Sequence, residues 1–525
     1  MFGYFYKQSI IKFTTVFNEG ETALEDKTRL RLVLTGILLG ILMAAMDNTI
    51  VATALGSILG DLGGVDSYIW ITSAYAVAVL AGMPIFGKLS DMYGRKRFFL
   101  FGIIVFLVGS ALCGLAQTVP QLAVFRAIQG IGGGALLPIA FTIVFDVFPP
   151  EQRGKMTGLL GAVFGASSVL GPLLGAWITE SISWHWVFYV NIPIGAISLF
   201  LIIRYYKEAA QPIKQTIDWL GAITLVTAVV SLMFGLELGG KKFEWLSWQS
   251  ITLFSIFIVF FIVFIWAETR AKEPIISFWM FKNRLFASSQ ALAFLYGATF
   301  IGLTIFIPLF VQAVYGGSAT NAGIILMPML LGSVAGSALG GILQTKTSYR
   351  NIMVISVIAY SIGMVLMSTI TPDTSRIALS LFMVLVGFGV GFSFSLLPSA
   401  SMHEMDYRYR GSANSTNSFF RSLGLALGIT IFGAIQTKLL TSEMSTGFAK
   451  LGGSGQGGPE SLGNIQTVFQ PEARANIPPD ILDVIVNAMS TSISATYLWS
   501  LIPVGIAVIA VFYMGNERLD VTKKQ

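Results

Sequence analysis

Charge is what this sequence has least of. Of 525 residues only 11% are Asp, Glu, Lys or Arg, against about 25% in soluble proteins, so too few charges remain to solvate a globular surface. Cysteine is nearly absent: Cys113 stands alone, which excludes an intramolecular disulfide. Histidine is confined to His185 and His403, so no Cys/His set has metal-ligand spacing, and neither a metal nor another cofactor is expected. No cleavable signal pattern is read before the first apolar run. A phosphate-binding loop is missing too. GLELGGKK (Gly235 to Lys242) and GMPIFGKL (Gly82 to Leu89) approach the nucleotide pattern, but Lys242 and Leu89 stand where it needs Ser or Thr, and neither follows a strand. Without an ATP site, uphill work must draw on an ion gradient.

What the chain has is apolar length. Hydrophobic residues make up 54% of it, roughly 284 residues, enough for about fourteen spans of ~20 residues. A sliding window finds fourteen runs, the first near 32 to 54 and the last near 495 to 514. The expected fold is therefore an all-α polytopic membrane protein with fourteen transmembrane helices. With the N-terminus in the cytoplasm, 25 of the 33 Lys and Arg fall on inside segments, 6 fall outside, and Arg126 and Arg421 lie within spans. Lys and Arg resist translocation, so both termini are expected to be cytoplasmic. The formal charge of +6 then reports topology, and no nucleic-acid partner is expected.

An internal repeat organises the spans. AGMPIFGKLSDMYGRKR (Ala81 to Arg97) aligns without gaps on AGSALGGILQTKTSYRN (Ala335 to Asn351), and Arg153-Gly154 matches Arg410-Gly411 at nearly the same offset. Two homologous six-helix bundles follow, with two helices inserted between them, an architecture of transporters with a site between the halves. The expected division is a cytoplasmic tail at 1–31, an N-terminal bundle at 32–206, inserted helices at 207–270, a C-terminal bundle at 271–515 and a cytoplasmic tail at 516–525. Residues 1–17 carry aromatic and Ile side chains near helical spacing, which fits an interfacial helix or a loose tail. Residues 437–494 read as a long outside loop, flexible at LGGSGQGGPE, with one short amphipathic helix at Pro478 to Met489.

Two clusters carry the chemistry. In GKLSDMYGRKR, Gly87 permits close helix contact and Gly94 a turn of positive φ, while Arg95, Lys96 and Arg97 hold the turn on the cytoplasmic face. Asp91 can pair with Arg95 and cap the N-terminus of a neighbouring helix, forming a lock that breaks when that side opens. Deeper in, Asp47 in span 1 and Arg126 in span 4 lie at matching depths, about 10 Å from the outer face. Ionisable groups inside spans cost ~2.5–3.5 kcal/mol and usually face a cavity or each other. Burial favours protonated Asp47 and a nearby arginine favours its carboxylate, a balance suited to proton coupling, with cationic substrates as competitors. A static ion pair is the plainer alternative. In GPLLGA, Gly171 and Gly175 allow close backbone approach and Pro172 introduces a kink, read as a rocking interface between halves. Gln129, Glu404, Asp406 and Arg421 are further candidates. Glu404 and Asp406 suit either an inner proton-release site or a solvated cluster with Arg408 and Arg410.

These motifs, in order along the chain, resemble the fourteen-span drug:proton antiporter branch of the major facilitator superfamily. The Gly87 to Arg97 turn resembles its loop motif, MDNTIVATAL (Met46 to Leu55) its span-1 motif, RAIQGIGGG (Arg126 to Gly134) its span-4 motif and GPLLGA (Gly171 to Ala176) its antiporter motif. WHWVFYVNIPIG (Trp184 to Gly195) and EPIISFWMFKNRLF (Glu273 to Phe286) resemble its entries to spans 6 and 9. Four positions depart from the pattern. Ala176 replaces a glycine, His185 stands where arginine is common, and Thr345 and Ser348 replace Asp91 and Gly94 in the second copy of the loop. The resemblance implies a monomeric multi-pass protein of a bacterial plasma membrane, not an enzyme, exporting hydrophobic, cationic compounds against protons, with Asp47 and Arg126 in the coupling. Export of a lipid or a metal-chelated antibiotic, or monovalent cation/proton exchange, are alternatives within transport. A receptor would not need the gating turn, and an intramembrane enzyme would need a second catalytic group beside Asp47.

Overall fold

A computed structural model describes residues 2–63, 69–208, 216–240, 242–316, 319–450, 474 and 477–519, with backbone alone for 2–26, 48, 69, 168, 169 and 319–323. Among the described residues fourteen helices are long and apolar enough to cross a membrane. In chain order they are α1 (Phe2–Leu62), α2 (Ile69–Tyr93), α3 (Arg95–Cys113), α4 (Val119–Val147), α5 (Pro150–Ser181), α6 (Trp186–Tyr205), α7 (Trp219–Leu238), α8 (Trp248–Arg270), α9 (Arg284–Ala313), α10 (Ala319–Leu343), α11 (Tyr349–Met367), α12 (Arg376–Ser401), α13 (Arg410–Lys450) and α14 (Pro479–Tyr513). Every apolar run of the sequence becomes one of them.

Helix starts follow local chemistry. A backbone N–H without an intrahelical partner is costly near a membrane, and side-chain oxygens supply acceptors at the ends. Thr118 accepts from Gln121 at α4, Asp218 from Gly221 at α7, Asn283 from Leu285 and Phe286 at α9, and Ser375 from Ala378 at α12. The apolar sides divide by environment. Ile258, Ile262 and Trp266 on α8 are exposed, as lipid-facing side chains are, whereas Phe264 on its inner side is buried.

The helices form two bundles with separate cores. In the first, Ile37 and Ile41 of α1, Phe99 and Ile103 of α3, Ile139 and Ile143 of α4 and Ile202 of α6 pack together. In the second, Leu303 and Phe310 of α9, Met353 and Met364 of α11, Val386 and Val390 of α12 and Tyr497 of α14 do the same. Helices α7 and α8 form a hairpin on the flank, where Leu225, Val229 and Met233 meet Val77, Leu80 and Met83 of α2 and Phe419 of α13.

Two expectations need correction. Both ends of the run 437–494 are helical and not loop: α13 continues to Lys450 and α14 begins at Pro479. Met444 and Phe448 pack with Ile485, Ala488 and Met489, so the short helix read at Pro478 to Met489 is the first part of the last span. The stretch LGGSGQGGPE lies outside the described residues. Helix α1 likewise runs on to Leu62 beyond its apolar window and begins at Phe2, so residues 2–17 are helical and continuous with it. Their side chains lie outside the described ones.

The halves meet through α5 against α10 and α12, and through α2 and α4 against α13. These contacts lie toward the face that carries the turn after α2, hereafter the lock face. Gly154 and Gly341 sit backbone to backbone, then Gly158 and Gly161 meet Ser337, and Gly165 meets Ser333 and Val334. On the other seam Gly87 packs on Gly411 and Ser415, and Ser422 reaches Met83. Toward the opposite face Gly56 and Gly60 of α1 border open space. The halves are thus closed at the lock face.

Candidate functional site

Asp47 and Arg126 do meet. Arg126 Nη1 donates to Asp47 Oδ2, and both side chains are fully buried. The carboxylate is held by two further donors: Gln129 Nε2 reaches Oδ1 at 2.7 Å and Asn191 Nδ2 reaches it at 3.3 Å. Gln129 Oε1 accepts from Arg126 at 2.7 Å, and Arg126 Nε donates to the Ile71 carbonyl at 3.2 Å. Ser110 Oγ accepts from Gln129 at 3.2 Å and from Asn191 at 3.0 Å, and donates to the Phe188 carbonyl at 2.8 Å. The guanidinium lies 4.2 Å from the centre of the Tyr75 ring. Helices α1, α2, α3, α4 and α6 thus contribute to one network.

This geometry sharpens one expectation and corrects another. Gln129, one turn from Arg126, is integral to the network. Asp47, however, does not line a cavity. It is 0% exposed, so a cationic substrate has no access to it in this state. Ser110, Asn191 and Tyr75 were not singled out in the sequence. Asn191 falls within the quoted WHWVFYVNIPIG, whereas nothing local distinguishes Ser110 from other serines in apolar helices.

The second cluster closes the lock face. Asp91 Oδ1 accepts from the Gly411 N–H at 2.8 Å and Oδ2 from the Ser412 N–H at 2.7 Å. The carboxylate therefore caps α13 in the other half, where the helix dipole also favours an anion. Arg95 Nη2 donates to Asp91 Oδ1 at 3.2 Å and to the Tyr407 carbonyl at 2.6 Å, and its Nη1 pairs with Asp146 Oδ2. Arg410 Nη1 reaches Asp146 Oδ1 at 2.8 Å. Two acids and two arginines from both halves make a charge-balanced tetrad. Asp146, an acid at the end of α4, is the member the sequence reading missed. The same face holds a Lys88–Glu273 pair at 2.8 Å.

The rest of the turn serves geometry. Gly94 has φ +104°, and the Glu208 carboxylate occupies the space where a Cβ would stand. Glu208 accepts the backbone N–H groups of Arg95 and Lys96, capping α3. Lys96 Nζ donates to the carbonyls of Ile203 and Tyr206 at the end of α6, and Arg97 is exposed. In the second copy of the loop, Ser348 takes the place of Gly94 and caps α11 through the Asn351 N–H, so the two turns differ in kind.

GPLLGA requires correction. Gly171 packs on Thr49 and Gly175 on Thr53 and Ile50, so the motif holds α5 to α1 inside one half. The close approaches between halves belong to Gly154, Gly158, Gly161 and Gly165, earlier on the same helix. Pro172 lies within α5 beside this intra-bundle contact. Glu404 and Asp406 are also outside any inner site. Their side chains are 62% and 54% exposed, and Asp406 accepts from the N–H and Nε of Arg408, whose backbone N–H holds its carboxyl below the usual range. Of the expected solvated cluster only the Asp406–Arg408 pair forms; Glu404 lies nearest His403, and Arg410 is buried against Asp146. His185 stacks on Trp184, whose Nε1 donates to Asp61 at 2.9 Å.

A family model described as Major Facilitator Superfamily matches residues 37–266 and 219–429. Multidrug resistance protein 3 of Bacillus subtilis (strain 168) is 63% identical over 503 residues, covering 96% of this chain and 98% of that protein. The chain belongs to the major facilitator superfamily. Another relative in the superfamily, multidrug transporter protein MdtP of the same strain, is 35% identical over 512 residues, covering 94% of each chain. Two solved structures agree in fold. The human organic anion transporter MFSD10 matches with TM-score 0.59 at 15% identity, covering 90% of this chain and 99% of that one. The proton:xylose symporter XylE matches with TM-score 0.59 at 12% identity, covering 94% and 98%. At such identities these likenesses concern the fold alone. Fourteen spanning helices on a superfamily fold make this a multi-pass membrane protein of a transporter family.

Proposed function

We propose that the protein is a proton-coupled exporter of hydrophobic small molecules that works by alternating access in a bacterial plasma membrane, with both termini cytoplasmic. The printed names of its multidrug relatives support the substrate class, and the Lys/Arg distribution supports the orientation. With that orientation the lock face is cytoplasmic, and the described state is closed on the cytoplasmic side.

The observation that carries the coupling is the donor arrangement around Asp47. Arg126, Gln129 and Asn191 all point N–H groups at its two oxygens. A proton on the carboxyl turns one acceptor into a donor that faces other donors, and removes the charge that Arg126 balances. The network must then rearrange, and its members sit on α1, α4 and α6. Protonation at Asp47 is thereby tied to helix positions in the first bundle, which in turn carry α2 and its Asp91 turn. Breaking a buried ion pair by removing one charge costs about 3–5 kcal/mol, enough to reverse a conformational equilibrium.

Everted vesicles with a pre-formed pH gradient test the reading. Adding a transported hydrophobic compound should dissipate the gradient in wild type and leave it intact in Asp47→Asn, at equal expression. A panel of lipophilic compounds that never moves the gradient in wild type overturns proton-coupled export. Uphill export retained by Asp47→Asn assigns the proton to another group.

A further inference from the structure

Arg421 is the membrane-embedded charge that the coupling network does not use. It lies eleven residues into α13 from Arg410, about 16 Å at 1.5 Å per residue, or roughly halfway across a ~30 Å hydrocarbon layer. Its neighbour Ser422 touches Met83 on the α2–α13 seam, so Arg421 stands at the boundary between the two halves. The guanidinium lies 5.9 Å from the ring centre of Phe164 in the first half and 5.8 Å from that of Phe394 in the second. Those two rings are 5.6 Å apart, and Phe300 adds a third at 5.8 Å from Phe394. Arg421 remains partly accessible. Among the described residues no carboxylate lies within ion-pair distance of it, and Asp47 is already matched by Arg126.

Unpartnered polar atoms lie on the same side of α13. Asn414, Asn417 and Arg421 follow one another at helical spacing. Asn417 donates to Gln290 Oε1 at 3.2 Å, yet Asn417 Oδ1, Asn414 Oδ1 and Gln290 Nε2 are buried without hydrogen-bond partners. Leaving a guanidinium uncompensated inside a span is costly, and the aromatic flanks offset only part of that. A ligand bringing a negative charge and a flat apolar body would match the guanidinium and the rings, while the two Asn oxygens call for a donor such as the ammonium of a zwitterion. A carboxylate can take two parallel N–H groups from one guanidinium, and its ring system can pack against the partly accessible Phe164 ring.

We propose that Arg421 is the anchor for the anionic group of the transported molecule, and that aromatic carboxylates, including zwitterions, are substrates. This rests on the export reading for transport but not for binding, and the experiment separates the two. Three probes share one fluorophore and differ in charge: pyrene-1-butyrate, its methyl ester and pyrenebutyl-trimethylammonium. Binding is read by tryptophan-to-pyrene energy transfer in nanodiscs of zwitterionic lipid, with protein-free nanodiscs subtracted. Arg421→Gln should weaken the carboxylate about tenfold or more while ester and cation stay within about twofold, and Arg421→Lys, which keeps the charge but loses the planar fork, should fall between. An unchanged carboxylate affinity in Arg421→Gln overturns the anchor, and so does an equal loss for all three probes, which marks a structural role. Failure of energised wild-type vesicles to accumulate any probe counts against the export reading, and the nanodisc result still decides the anchor.

Discussion

At the scale of single residues, Asp91 shows how one carboxylate can join two bundles. Both of its oxygens are committed, one to Gly411 N–H and Arg95, the other to Ser412 N–H. Asp91→Asn turns one acceptor into an NH2 group facing an N–H donor and removes the charge opposing Arg95 and the helix dipole. A cost of about 1–3 kcal/mol falls on the closed lock face alone, because these partners separate when it opens. Turnover in vesicles should therefore drop several-fold while substrate affinity in nanodiscs stays unchanged; a parallel loss of affinity would mean that Asp91 shapes the binding site instead. Gly94 differs in kind. Its φ of +104° with ψ 137° lies in a region open essentially to glycine, and Glu208 fills the space beside it. Gly94→Ala should cost about 1–3 kcal/mol whichever state is occupied, seen as a lower melting temperature in detergent, and a melting curve matching wild type would show that the turn can relax.

Among elements, the glycines divide into two kinds according to what they touch. Gly336 packs on the Phe388 carbonyl, Gly424 on that of Phe294 and Gly171 on Thr49, each inside one half. Gly154 and Gly341 pack on each other's carbonyls across the halves. A methyl at Gly171 or Gly424 has to be accommodated in every state, so Gly424→Ala should lower thermal stability. A methyl at Gly341 can be relieved by separating α5 from α10, so Gly341→Ala should leave the melting temperature near wild type and impair closure, measured as slower transport. If Gly341→Ala destabilises as much as Gly424→Ala, the α5–α10 seam does not open. Sequence separates these classes poorly. The fourteen runs, the Gly87/Gly341 and Gly154/Gly411 matches and the Asp47–Arg126 pair were all legible, because apolar length, repeated spacing and rare buried charge are local signals. The direction in which a glycine faces is not local. Gly171 sits beside a proline that suggested a hinge, yet the helix turn places it against α1. The continuation of α13 and α14 into 437–494 was hidden for a related reason, since polar residues on their outer sides lower the apolar average that the buried Met444, Phe448, Ile485 and Met489 would otherwise reveal.

For the whole molecule, the two seams make the lock face a two-state device. Gly87 meets Gly411 on one side and Gly341 meets Gly154 on the other, positions related by the repeat, but only the first seam carries an acid on a helix N-terminus, because Thr345 and Ser348 stand where the first copy has Asp91 and Gly94. Electrostatic restraint is concentrated on the α2–α13 seam, whereas α5 and α10 are held by close glycine packing and one hydrogen bond from Ser337 Oγ to the Gly158 carbonyl at 3.1 Å. Loss of the tetrad should then let the halves separate, with the steric seam opening secondarily. Spin labels at Lys155 and Lys346, exposed positions at the ends of α5 and α10 nearest the lock face, report on that steric seam without touching the tetrad, and the buried Cys113 is removed by Cys113→Ala. In wild type one short distance should dominate. In Asp146→Asn, which leaves Arg95 and Arg410 without their shared acid, a longer component should grow at the expense of the short one. An unchanged distribution in that variant would place the restraint in the glycine contacts and leave the tetrad as packing.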